Sequence, residues 1–191
     1  MTRTETMRRA MGILLLLSML VTTALLIAQG RWREAIPLHL CSVSALLAAV
    51  LAFGKSAGSL DFLWYLGMPG AALALLFPAP ASSVMQPLFT AGYIVTHAMI
   101  LAIPLAAFAM GEYPREKNAP MQLIALQALA LAAFFVNRRL GTDFLFLAAP
   151  PSDTPLEAVW KLGYPAYILF LQGMMAVLCL LMGAARRLLF E

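Results

Sequence analysis

Charge is what this sequence has least of. Asp, Glu, Lys and Arg make up 12% of its 191 residues and 62% are hydrophobic, with a mean hydropathy of +0.85. An average soluble domain has about a quarter of its residues charged, so this balance excludes a soluble protein and points to a chain solvated by lipid. Cysteine is scarce too. Two residues, Cys41 and Cys179, do not make a disulfide framework, which needs more of them in a polar, loop-rich chain. Cys41 falls in an early turn of its apolar run and Cys179 about 22 Å along the last one, so a bridge between them is not expected. The basic residues form no stripe interleaved with aromatics, which leaves no case for nucleic-acid binding, and no internal repeat is visible.

Long apolar runs are what the sequence has. They cover about residues 10–29, 35–53, 60–77, 86–110, 121–136 and 164–182, each near the twenty residues needed to cross a bilayer. The expected fold is all-α. It is a polytopic membrane protein, a bundle of about six transmembrane helices, forming one domain over residues 1–191. Arg8 and Arg9 before the first run also fit a signal peptide, but a chain that is itself membrane-embedded can be anchored without cleavage, so the first run is read as a span with the signal peptide as its rival. Before the last run, Thr142-Asp143-Phe144-Leu145-Phe146-Leu147 is apolar but too short to cross, and Pro150-Pro151 ends it. This segment is expected to re-enter the bundle or lie at the interface.

The connections carry the punctuation. Pro78 to Ser83 reads as a short uncharged link, and Gly111 to Pro120, with four charged residues, as a solvent-exposed loop. Gly67-Met68-Pro69-Gly70 breaks the third run. A Gly/Pro break frees backbone groups that lipid cannot satisfy, so this region should face protein or a wet cavity. An even number of spans puts both termini on one side, which then collects eight Lys and Arg residues against five on the other. The positive-inside rule makes that side cytoplasmic.

Titratable groups at lipid depth are costly, by a few kcal/mol on insertion scales of about 2.5–3.5. Pro37-Leu38-His39-Leu40-Cys41-Ser42 is therefore the first candidate site. The second and fourth spans both begin on the far side. If they start near Trp32 and Pro87, Cys41 and His97 lie roughly 13 and 15 Å along them, at matched depth. A histidine can take the thiol proton and release a thiolate able to attack a carbonyl. His39 is only two residues from Cys41, about 200° around a helix, and is poorly placed for this. His97 is the better base. Thr90 and Tyr93 share its helical face at offsets of three and four, and Asn137, Thr142 or Asp143 can orient it, as the third member of a triad does. Tyr164 begins the last span in the same half and, like Tyr93, suits an interface anchor. The bland readings are a Cys that only packs and a His39 that only bonds backbone. His39, Cys41 and His97 as metal or haem ligands lack a dense Cys/His spacing, and no metal and no cofactor is expected.

Four strings, in order, resemble a known family. Ile36-Pro37-Leu38-His39-Leu40-Cys41, His97 in the fourth span, Gly141-Thr142-Asp143-Phe144-Leu145-Phe146-Leu147 and Leu162-Gly163-Tyr164-Pro165-Ala166-Tyr167 are similar to the YwaF-like integral membrane proteins, whose eukaryotic relatives are the transmembrane protein 164 acyltransferases. The resemblance implies a six-helix membrane enzyme in which Cys41 carries an acyl chain and His97 is the base. Its substrates would be phospholipids or other acyl esters, its partners membrane lipids, and its location a bacterial inner membrane. The chain departs from the pattern in having Asp143 where the family has Asn. A bundle of another class, non-enzymatic and binding or transporting a small molecule, remains the alternative, because broken helices suit such sites as well.

Overall fold

The computed structural model describes residues 2–77, 86–151 and 154–190. The expected link Pro78 to Ser83 lies outside them. Helices dominate: α1 (Arg3–Ala28), α2 (Leu40–Phe53), α3 (Ala57–Leu76), α4 (Gln86–Phe108), α5 (Ala119–Leu140), the short α6 (Leu156–Trp160) and α7 (Tyr164–Phe190). Among the described residues there is no β-strand. Five helices, α1, α3, α4, α5 and α7, are long and apolar enough to cross a membrane.

The second apolar run differs from expectation. Its helix α2 has 14 residues and starts at Leu40, not near Trp32. Pro37 is the physical reason, because it offers no N–H to a preceding turn and biases Ile36 away from the helical region. The chain instead makes turns through residues 31–36 and a tight Leu38 N–H to Ile36 carbonyl contact at 2.8 Å. At about 21 Å, α2 alone is shorter than the roughly 30 Å apolar core. The depth arithmetic that matched Cys41 to His97 loses its starting point, since Cys41 now stands in the first helical turn.

Other helices outrun their apolar stretches. α5 continues through Asn137, Arg138 and Arg139 to Leu140, and α7 continues through Arg186 and Arg187 to Phe190. Basic side chains at helix ends reach back to the interface, so charge does not stop a helix as it stops a hydropathy run. At the other end, Thr2 and Glu5 form a capping box that fixes the start of α1.

Two apolar clusters share α3. Leu15, Ala45, Ala48, Leu51, Leu60, Leu63, Ala71, Ile100 and Ile103 join α1 to α4 in one. Phe62, Trp64, Tyr65, Leu66, Leu126 and Cys179 join α3 to α5 and α7 in the other. Small residues allow the closest approaches. A Cβ at Gly12 would sit 2.5 Å from that of Ala52, and one at Gly92 would sit 2.6 Å from Thr22 Oγ1. Beside Gly92, the Ser18 hydroxyl donates to the Gly92 carbonyl at 3.2 Å, which is polar glue between α1 and α4.

The break in α3 is packed, as its chemistry requires. Leu63–Gly67 forms a π-helical turn whose five residues are all buried. Pro69 has no N–H for the Tyr65 carbonyl four residues earlier. The Cys179 thiol donates to that carbonyl at 3.6 Å. Both cysteines are free.

The loop between α4 and α5 is exposed at Gly111, Tyr113, Arg115 and Pro120, as expected, and is also tied to the terminal helices. Its Glu112 pairs with the buried Arg8 of α1 at 2.8 Å, its Pro114 carbonyl accepts from Arg186 Nε at 2.9 Å, and Glu116 accepts from Arg187 Nε at 2.8 Å. Both terminal helices therefore meet the same loop, at one end of the bundle. Asp61 of α3, 0% exposed, anchors it by accepting from the Arg115 amide and guanidinium, both at 2.7 Å, and from Asn118.

Candidate functional site

The opposite end gathers the residues that carry chemistry, in two groups flanking the start of α2. The first is on α4. His97, 3% exposed, is within hydrogen-bond distance of the Tyr93 carbonyl through Nδ1 at 2.7 Å. A carbonyl only accepts, so Nδ1 carries the hydrogen. The neutral ring then presents an unprotonated Nε2, which is the nitrogen able to take a proton.

Tyr93 holds this histidine twice. Besides offering its carbonyl, its ring lies 4.1 Å from that of His97, tilted by 39°. Its phenol donates to the Ala74 carbonyl of α3 at 2.6 Å. Ala74 lies in the last turn of α3, where carbonyls have no partner within the helix. One hydroxyl thus closes a helix end and fixes the ring beside the histidine. The Cys41 sulfur interacts with the Ser42 hydroxyl and with the amides of Cys41 and Ser42. The thiol packs against the α1–α4 cluster. His39 is the residue before α2 and does not cap it with its side chain. The amides of the first turn, Cys41 among them, have no acceptor within the helix and mark the positive end of its dipole.

The second group is a knot around the turn that follows α5. α5 ends on Gly141 at φ 65°, a left-handed conformation that glycine adopts without strain. One turn before that end, the buried Asn137 side chain accepts from Thr142 Oγ1 at 2.9 Å and the Phe144 amide at 2.8 Å, and donates to the Phe144 carbonyl at 3.0 Å. Asp143 accepts from the amides of Ala148 and Ala149. Between these clamps, Leu145 and Phe146 stand at φ 60° and 54°. Bulky residues rarely adopt that region, and each instance costs roughly 1–3 kcal/mol unless its surroundings enforce it. The enforcement is visible. Tyr167 Oη donates to the Phe146 carbonyl at 2.7 Å, and His39 Nδ1 accepts from the Leu145 amide at 3.4 Å with its ring against Phe144 and Phe146.

The candidates chosen from sequence thus divide. Tyr93 and His97 are in contact; Asn137 and Thr142 hold the turn that His39 touches. The orienting partner of His97 is a backbone carbonyl of its own helix, whereas the Asn137 amide is occupied by the knot. Thr90 is exposed on α4, and Tyr164, 47% exposed, stands against Trp160 at the start of α7. Asp61 escaped the sequence reading. An Asp within an apolar run is the signal that could have found it. Among the described residues, no group of three or more His, Cys, Asp or Glu is placed to hold a metal ion.

An all-helical bundle with five membrane-length helices, and polar groups drawn to its two ends, defines a polytopic integral membrane protein. Comparison with known families narrows this further. The TMEM164 family matches residues 1–183, and the chain belongs to that family. It is 28% identical over 176 residues to an uncharacterized protein of Treponema pallidum (strain Nichols), a match covering 92% of this chain and 71% of that protein. No solved structure matches.

Proposed function

We propose that the protein is a membrane-embedded acyltransferase or acyl hydrolase acting on phospholipids or related acyl esters, with Cys41 as nucleophile and His97 as base. The observation that supports this most is the hydrogen bond from His97 Nδ1 to the Tyr93 carbonyl, which prepares Nε2 to accept a proton. α2 and α4 pack directly on each other, which puts the helix carrying Cys41 against the helix carrying His97.

The chemistry is a double displacement. His97 Nε2 takes the thiol proton, and the Cys41 thiolate attacks the ester carbonyl of a lipid. Collapse of the tetrahedral intermediate breaks the ester C–O bond, and the imidazolium returns its proton to the departing lysolipid oxygen. Water, or the hydroxyl of an acceptor lysolipid, then gives its proton to Nε2 and attacks the thioester carbon. The thioester C–S bond breaks, releasing acid or acylated lipid, and sulfur recovers the proton. Under this reading the membrane lipids are the partners. The end that holds both termini is cytoplasmic, on the strength of its eight positive residues.

The binding or transport alternative draws on the broken α3. The break is buried and its freed Tyr65 carbonyl is occupied by Cys179, which argues for a packing role. The test is intact-mass analysis of the purified protein after incubation with phosphatidylcholine. An acyl adduct, mapped to Cys41 and removed by hydroxylamine, is expected. Turnover of the lipid without a Cys41 adduct, or no turnover at all, would overturn the proposal.

A further inference from the structure

The strained turn carries an inference independent of the proposed chemistry. Leu145 and Phe146 occupy left-handed backbone without glycine. Two side chains from outside the turn meet its backbone: Tyr167 of α7 at the Phe146 carbonyl, and His39 at the Leu145 amide. His39 stands directly before the helix that begins with Leu40 and Cys41, so the turn rests on the start of α2. The rings of Phe144 and Phe146 lie 5.1 and 5.6 Å from the imidazole, which packs the turn against the residue that precedes α2.

The His39 contact can be reversed by one proton. The Leu145 amide only donates, so the bond requires a lone pair on Nδ1. Protonated histidine is a donor at both nitrogens, and two donors then face each other. Burial pushes the His39 imidazole below its ordinary range, so the ring is neutral at pH 7 and takes up a proton only in acid; Asp143, from the turn side, and Glu34, from the turn before α2, act in the opposite sense and only partly offset the burial. Asp143 meanwhile holds the Ala148 and Ala149 amides, which gives the loop a second anchor from which the turn can swing.

We propose that the Leu145–Phe146 turn is a gate over the amino-terminal end of α2, held shut by neutral His39 and the Tyr167 hydroxyl, and released when His39 takes up a proton. The two left-handed residues supply the tendency to open, because relaxing them is downhill once a clamp is lost. The Asn137 knot at one side and the Asp143 contacts at the other stay in place, so opening is confined to the turn.

The full chain in lipid nanodiscs, followed by hydrogen–deuterium exchange between about pH 8 and about pH 5, tests this. After correction for intrinsic rates, peptides covering residues 144–147 should exchange roughly five- to tenfold faster at the acid end, the loss expected for one hydrogen bond. His39→Gln, whose side-chain oxygen still accepts from an amide and does not titrate, should remove the dependence. Tyr167→Phe should raise exchange at both ends of the range. Exchange that is independent of pH in the wild type, or pH-dependent to the same degree in His39→Gln, overturns the proposal. Because the readout is the gate itself, it fails or succeeds separately from any acyl chemistry at Cys41.

Discussion

His97 donates its Nδ1 proton to the Tyr93 carbonyl, 2.7 Å away and one helical turn earlier. The ring of the same tyrosine packs, tilted, against the imidazole, and its hydroxyl reaches α3. The backbone bond survives any substitution at residue 93, but the ring contact and the hydroxyl do not. Tyr93→Phe should therefore lower turnover less than tenfold, the scale of one net hydrogen bond of about 0.5–1.5 kcal/mol. Tyr93→Ala should lower it further by freeing the imidazole to rotate. Steady-state rates of both variants on one phospholipid check this ordering.

Asn137 is the stability counterpart. Its side chain makes three hydrogen bonds in a buried position, and Asn137→Ala leaves the Phe144 amide and carbonyl unpaired. Each buried orphan costs about 1–3 kcal/mol, so the loss should exceed that of Thr142→Ala, which removes one bond. Thermal unfolding in detergent is the measurement, with the lower midpoint expected for Asn137→Ala.

The glycines at helix contacts make a graded series. Gly12→Ala puts a methyl 2.5 Å from the Ala52 Cβ, which cannot move without backbone, whereas Gly92→Ala meets the Thr22 hydroxyl, which can rotate. Overpacking of this kind costs roughly 1–3 kcal/mol. Gly173 has nothing within 4 Å of its Cβ position. The unfolding midpoint should fall most for Gly12→Ala, less for Gly92→Ala, and not at all for Gly173→Ala.

At the other end of the bundle, Asp61 has three donors and no exposure. Asp61→Ala leaves the Arg115 and Asn118 groups without their acceptor and should free the 111–118 loop. Losing one partner of a buried pair costs about 3–5 kcal/mol, an upper figure here because the Arg115 side chain is 57% exposed. Limited proteolysis should cut this loop in Asp61→Ala and spare it in the wild type; Asp61→Asn, which keeps an acceptor oxygen, should cut at an intermediate rate.

The helices were legible because lipid imposes a length and a polarity that a hydropathy run records directly. The positions of Cys41 and His97 in separate apolar runs were legible for the same reason. Pro37 should have shortened α2 on chemistry alone, and its effect was masked by Ala35 and Ile36, which extend the apolar run across it. The ends of α5 and α7 were hidden by arginines that lipid tolerates at its surface. What no local pattern records is the pairing of distant groups. Asn137 was chosen as an orienting residue and is one, but for the turn seven residues on rather than for His97. His39 and Leu145 are 106 residues apart, and nothing in either string announces the other.

The account rests on Cys41 and His97 acting together, and one assay addresses that most directly. Wild type, Cys41→Ser, His97→Ala and Cys179→Ser are reconstituted in vesicles of phospholipid with a labelled acyl chain, and acyl release or transfer to lysolipid is followed. Activity should be retained in wild type and Cys179→Ser, whose hydroxyl can still donate to the Tyr65 carbonyl that the thiol meets in the core, and lost in Cys41→Ser and His97→Ala. Equal activity in all four proteins would contradict the account.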